Sequence, residues 1–173
     1  MIPRWRAVLR RPDAAQRPDD DTWSALEYAC HVRDVFALFD QRLNLMLAED
    51  GARFEDWDQD RTAVEKDYAN AEPSEVAREL VAEGHQAAEA FAGVREEDWG
   101  RRGLRSNGSE FTVLTLSQYF LHDVVHHLHD VDGKRKLSQS GPSGKRPAIP
   151  GAVRMTPTDP AGRRRPGNLP GCG

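Results

Sequence analysis

Four of the six histidines in this 173-residue chain fall within eight positions, in the run His122-Asp123-Val124-Val125-His126-His127-Leu128-His129-Asp130. His122 and His126 stand four apart. On a helix that spacing places both imidazoles on one face, one turn apart, which lets two nitrogens reach one divalent ion. Two ligands are incomplete for a catalytic site of the zinc type, which takes three protein ligands and keeps a position for water or substrate. The third must come from another helix, and His31 and His85 are the candidates. At ~100° per residue both sit at the edge of an apolar stripe, so geometry does not separate them. His31 has the more suitable neighbours. Glu27 lies one turn before it and Asp34 nearly one turn after, either able to accept a hydrogen bond from a ligating imidazole.

The same rotation puts His122 and His126 away from the centre of their own apolar stripe, on an arc shared with Thr115, Gln118, Tyr119 and His129. A plain solvent face would carry Lys, Arg or Glu. None occurs from Phe111 to Asp132, in a chain that is 30% charged. His127 falls on a different side and reads as a packed or capping residue. His129 reads as a spare ligand or proton shuttle, Asp123 and Asp130 as groups behind the ligands, and Cys30 as a small core residue.

Three segments of helical period must position these residues. The first runs from Trp23 to about Glu49, with Tyr28, Val32, Val35, Phe36, Phe39, Leu43 and Met46 recurring at three and four and with Asp20 to Thr22 as caps. The second runs from Pro73 or Ser74 to Phe91, with Pro73 in the first turn and Gly93 at the exit. The third runs from about Thr112 to Val131, with Gly133 as its stop. Arg61 to Tyr68 fits a short extra helix, and Arg4 to Arg11 is helical in flavour but short. No run of alternating β-branched residues argues for a sheet. The expected fold class is therefore all-α, an antiparallel helical bundle whose missing full-length member could come from a partner subunit, as in a homodimer, or from a preceding stretch.

Charge divides the chain. From Lys134 to Gly173 there are nine basic residues and one acid, a net +8, with seven of the eleven prolines and seven of the fourteen glycines. Such a segment cannot bury enough apolar surface to offset its ordering entropy and is expected to be disordered. Residues 1–133 carry 15 basic residues against 27 acids, a net −12. An acidic body repels nucleic acid, which is not an expected partner. The expected organisation is a short N-terminal segment at 1–22, a helical bundle at 23–133 and a basic tail at 134–173. Two cysteines give no disulfide framework, and neither a secretory leader nor 18 consecutive apolar residues are present, so a cytoplasmic protein without membrane contact is expected.

Trp23-Ser24-Ala25-Leu26-Glu27-Tyr28-Ala29-Cys30-His31-Val32-Arg33-Asp34-Val35, followed at distance by His122-Asp123-Val124-Val125-His126-His127-Leu128, resembles the DinB-like superfamily of metal-binding four-helix bundles. Members typically place one metal-binding histidine near the start of the second helix and two more, four apart, on the last long helix. The resemblance covers roughly Trp23 to Val131 and implies His31, His122 and His126 as the metal ligands. His85 matches no ligand position. Family members begin with a full-length first helix, of which Arg4 to Arg11 resembles only the end, so the bundle is expected to have a shortened first helix.

The resemblance also implies a chemistry. Characterised relatives include thiol-dependent transferases and isomerases in which a divalent ion activates mycothiol or bacillithiol, so a metal-dependent thiol transferase is expected. Its cofactor would be a divalent ion, Zn or Ni by preference, and its cosubstrate a low-molecular-weight thiol with a small-molecule partner. Asp123, His129 and Tyr119 are the candidate proton-transfer groups. A metal-dependent hydrolase is a second reading, since His122 and His126 have the spacing of the H-E-x-x-H proteases with Asp123 in place of the Glu. A third is a non-catalytic helical module for metal binding or protein interaction.

Overall fold

In the computed structural model residues 1–138 are described, with side chains described through Asp132. The helices are α1 (Ile2–Leu9), α2 (Ala25–Ala48), α3 (Gln59–Glu65), α4 (Pro73–Ala92) and α5 (Val113–Ser138), and the strands are β1 (Ala52–Phe54), β2 (Arg102–Arg105) and β3 (Glu110–Thr112). The all-α bundle expected from sequence is present. α2 is its central member, packing along α4 and α5, and α1 closes the fourth side against all three.

Local chemistry fixes where the helices begin. Ser24 caps α2 by a reciprocal box: its Oγ accepts from the Glu27 N–H at 3.2 Å, and Glu27 Oε2 accepts from the Ser24 N–H at 2.8 Å. Arg17 locks the same carboxylate from outside, its Nε donating to Oε2 at 2.9 Å. Glu27 is thereby spent on the cap and on Arg17. α4 begins at Pro73 as expected. α5 leaves β3 directly, with the Thr115 N–H donating to Thr112 Oγ1 and the Thr112 N–H to Thr115 Oγ1.

Helix α1 is eight residues long and still belongs to the bundle. Trp5, Val8 and Leu9 are buried, and Arg4 and Arg11 reach Asp132 of α5 at 2.7 and 2.8 Å. Phe120 of α5 is the hub of the aromatic core, with ring centroids 5.1 to 5.7 Å from Phe39, Phe91 and Phe36. α5 passes through Gly133, expected to end it, and continues to Ser138. The expected disorder of the tail otherwise falls on residues 139–173, outside those described.

The sheet was not expected. β1 lies parallel to β2, which pairs antiparallel with β3. Strands of three or four residues carry no readable alternation, and long-range pairing rather than local propensity forms them. Arg42 ties them to the bundle, donating to the Glu55 carbonyl at 2.8 Å with its guanidinium 4.9 Å from the Phe54 ring. Gly103 is where β2 crosses α2: a Cβ there would stand 2.6 Å from Phe54 Cε1 and 2.7 Å from Met46 Sδ. Gly103→Ala is expected to destabilise the protein by about 1–3 kcal/mol, read as a lower urea midpoint at unchanged slope.

Candidate metal centre

His31 lies in the second turn of α2, where the cap at Ser24 fixes its direction. It is 1% exposed, and Trp23 and Trp57 close over it. The Trp57 ring stacks on the imidazole at 5.1 Å and 11°, and its indole N–H is held by Thr62 Oγ1 at 2.8 Å. Facing His31 from α5 are Asp123 and His127. Asp123 Oδ2 lies 3.7 Å from His31 Nε2, Asp123 Oδ1 lies 3.6 Å from His127 Nε2, and the two imidazoles meet edge to face at 4.6 Å. One donor atom from each of the three residues lies within 4.8 Å of the others.

The sites expected from sequence are distributed as follows. His31 is in the cluster. His122 and His126 are exposed on the outer face of α5, their rings stacked on each other at 5.7 Å and 16°. The structure therefore gathers Asp123 and His127 at His31, with His122 and His126 on the outer side of this group and the His126 ring 5.9 Å from that of His127. The four-residue spacing on α5 is retained, one position along. Asp123 and His127 border the buried stripe of Leu116, Phe120, Val124, Leu128 and Val131, and this border faces α2. His129 is exposed, and Tyr119 stacks on Phe39 at 5.9 Å. His85 is exposed on α4 and lines an apolar cavity of about 580 Å³ with Ile2, Phe36, Phe91 and Phe120, which shares no residue with the His31 group. Cys30 is fully buried, and burial pushes its thiol up to about 12, so it stays protonated in the core.

The electrostatics suit a cation. Burial pushes the His31 pKa down, with His127 adding to this against the pull of Asp123, so the imidazole is neutral and able to ligate. Burial works to raise the Asp123 carboxyl, but the adjacent His127 and His31 outweigh it and hold the group far below the usual carboxylate range. Both ring nitrogens of His31 and Nδ1 of His127 are buried without a hydrogen-bond partner. Each such orphan costs about 1–3 kcal/mol unless something else satisfies it. The carboxylate distances are too long for hydrogen bonds, whereas donors bound to one ion at about 2.0–2.2 Å would be spread on this scale. Neither Glu27 nor Asp34, expected behind His31, hydrogen-bonds to it. Asp130 stands behind His127 instead, its Oδ2 3.8 Å from Nδ1.

Asp34 has a different task. It accepts from Arg33 Nε at 2.9 Å, Lys66 Nζ at 2.8 Å and the Tyr68 hydroxyl at 2.5 Å, and so anchors on α2 the segment that carries Trp57. Burial raises its pKa, but these three donors outweigh burial and hold it below its ordinary value. A depressed folded pKa stabilises the fold above the unfolded value of about 3.9, and that stability is lost as pH falls through the folded value. Melting curves from about pH 2 to about pH 6 should therefore show a shallower acid limb in Asp34→Asn than in the wild type.

Fold and site together define a four-helix bundle with two histidines and a carboxylate converging from its second and last helices. Residues 5–131 match the model of the DinB superfamily, and the chain belongs to that family. Among solved structures it is similar to YfiT from Bacillus subtilis, described as a probable metal-dependent hydrolase with an unusual four-helix bundle topology. The TM-score is 0.66 at 18% identity, over 80% of this chain and 83% of that one. No curated protein matches it. Among the described residues no helix is long and apolar enough to cross a membrane.

Proposed function

We propose that this protein is a metal-dependent enzyme that holds one divalent ion through His31, Asp123 and His127 and uses it to activate a nucleophile at neutral pH. The observation that carries this reading is His31. An imidazole 1% exposed, kept neutral by burial and with neither nitrogen hydrogen-bonded, facing an ionised carboxylate and a second imidazole, offers the donor set of a divalent-metal site. Two imidazoles and a carboxylate suit Zn, Ni, Fe(II) or Mn, and the same donor types hold zinc in hydrolases. The ion would lower the pKa of a coordinated water or thiol.

The chain's own residues divide the remaining work. Asp123 supplies the negative charge. Trp23 and Trp57 wall the His31 side from water. Asp123 and His127, 26% and 14% exposed at the side chain, border the side from which a substrate can approach. The nucleophile is the thiol of a small cosubstrate, as the family resemblance implies, or water, as the description of YfiT suggests. Protein loaded with Zn(II) or Ni(II) should be assayed both for hydrolysis of activated esters and for consumption of a low-molecular-weight thiol by an electrophile. Turnover in one arm, abolished by a chelator and by His127→Ala, is the expected result. Rates in both arms no higher than those without protein would leave a non-catalytic helical module.

A further inference from the structure

We infer that Arg42 and Arg105 form an anion subsite where α2 meets the sheet, and that it holds a carboxylate of the substrate. Both arginines are buried, at 3% and 8% exposure. Their guanidiniums lie over the Phe54 and Phe111 rings at 4.9 and 5.3 Å, and those two rings are 6.4 Å apart. Among the described residues the acid that faces the pair is Asp56, whose Oδ1 lies 3.5 Å from Arg105 Nε. Two guanidiniums against one carboxylate leave a positive charge in excess in a largely desolvated place, which is costly unless an anion answers it. Arg105 donates to Asn107 Oδ1 and Ser109 Oγ. Arg42 is less satisfied. Of its five N–H groups one is bonded among the described residues, to the Glu55 carbonyl, and its Nε is buried without a partner. Burial and Arg105 push its pKa down to about 10, so it stays charged at neutral pH.

The pair is placed for a molecule that also reaches the metal centre. His31 and Arg42 stand eleven residues apart on α2, about three turns and within about 20° of the same side. On α5, Tyr119 lies one turn before Asp123 on the side that carries His127. The chain itself bridges the two places: Glu55 accepts from Arg42, and Trp57 stacks on His31. Two residue steps cover at most about 7 Å, so the two places lie within the span of one small metabolite. Asp56 and Tyr119, 49% and 39% exposed, leave the rim open to solvent. One excess charge matches a carboxylate monoanion better than a phosphate dianion, and a guanidinium fork suits its two oxygens.

The role in catalysis rests on the activity proposed above, whereas binding of the anion needs no ion. The test is an NMR titration of the untagged full chain, stripped of metal, with benzoate, benzamide and inorganic phosphate, repeated after loading with Zn(II). Benzoate should bind the stripped protein and move the Arg42 Nε–H resonance, with benzamide and phosphate at least about tenfold weaker. Arg105→Gln should weaken benzoate about tenfold or more, and Asp56→Asn, an exposed change that removes the competing carboxylate, should tighten it. Equal benzoate affinity in the wild type and both variants would overturn the inference. Binding only after Zn(II) loading would also overturn it, by placing the carboxylate on the ion and so upholding the metal centre alone. Phosphate binding tighter than benzoate would overturn the assignment to a carboxylate.

Discussion

Asp123→Asn lowers the affinity of the protein for Zn(II) by at least about 100-fold, measured by competition with a chromophoric chelator. The substitution preserves size and shape and removes only the charge. In the wild type that carboxylate lies 3.7 Å from His31 and 3.6 Å from His127, and both imidazoles hold it ionised. A neutral amide oxygen is a poor zinc ligand and leaves the ion's charge unopposed in a partly desolvated site. Asp123→His gives the contrasting result. It restores a three-imidazole set, the donor set that the family resemblance implies, and should bind Zn(II) where the asparagine variant does not. A change of less than about threefold in Asp123→Asn would place the ion elsewhere.

Trp5→Ala costs about 3–5 kcal/mol and lowers the melting temperature by roughly 6–20 °C. α1 is only eight residues long, and Trp5, Val8 and Leu9 are all that it buries. The indole is fully buried, so its removal opens a cavity that a short helix cannot close. The Arg4 pair to Asp132 is too exposed to hold α1 in place alone, and Arg11 makes its pair from beyond the end of the helix. Trp5→Phe should recover part of the loss, because Trp5 Nε1 has no hydrogen-bond partner and its deletion sacrifices no bond. A shift of less than about 2 °C in Trp5→Ala would mean that α1 is not docked as described.

Most of the bundle is legible in the sequence because its helices satisfy local rules. α2 and α4 begin and end within a residue or two of where caps, Pro73 and Gly93 put them. The sheet is not legible. Its strands have the sequences ARF, RGLR and EFT, and what assembles them is packing of Gly103 against Phe54 and Met46 from elsewhere in the chain.

At the site, His31 is readable from the family resemblance of the Trp23 to Val35 stretch, although the residue that caps its helix is Ser24 rather than one of Asp20 to Thr22. The α5 residues that meet His31 need one further step. The sequence rotation already sets His122 and His126 away from the apolar stripe, and a residue that must reach α2 belongs at the border of that stripe. Moving the pair one position along gives Asp123 and His127, which keep the spacing and replace one imidazole with a carboxylate. The H-x3-H pattern draws attention to the outer pair because one carboxylate beside His31 is not distinctive among the chain's 28 acids. The role of Glu27 misleads for a related reason: its place near His31 is real, but the helix cap and Arg17 engage both oxygens.

The central claim is tested most directly by zinc content after dialysis against a weak chelator, comparing the untagged wild type with His31→Ala/Asp123→Ala/His127→Ala and with His122→Ala/His126→Ala. The account predicts about one tightly held ion in the wild type and in the His122/His126 variant, and none in the triple variant. Retention of the ion by the triple variant, or its loss from the His122/His126 variant, would contradict it.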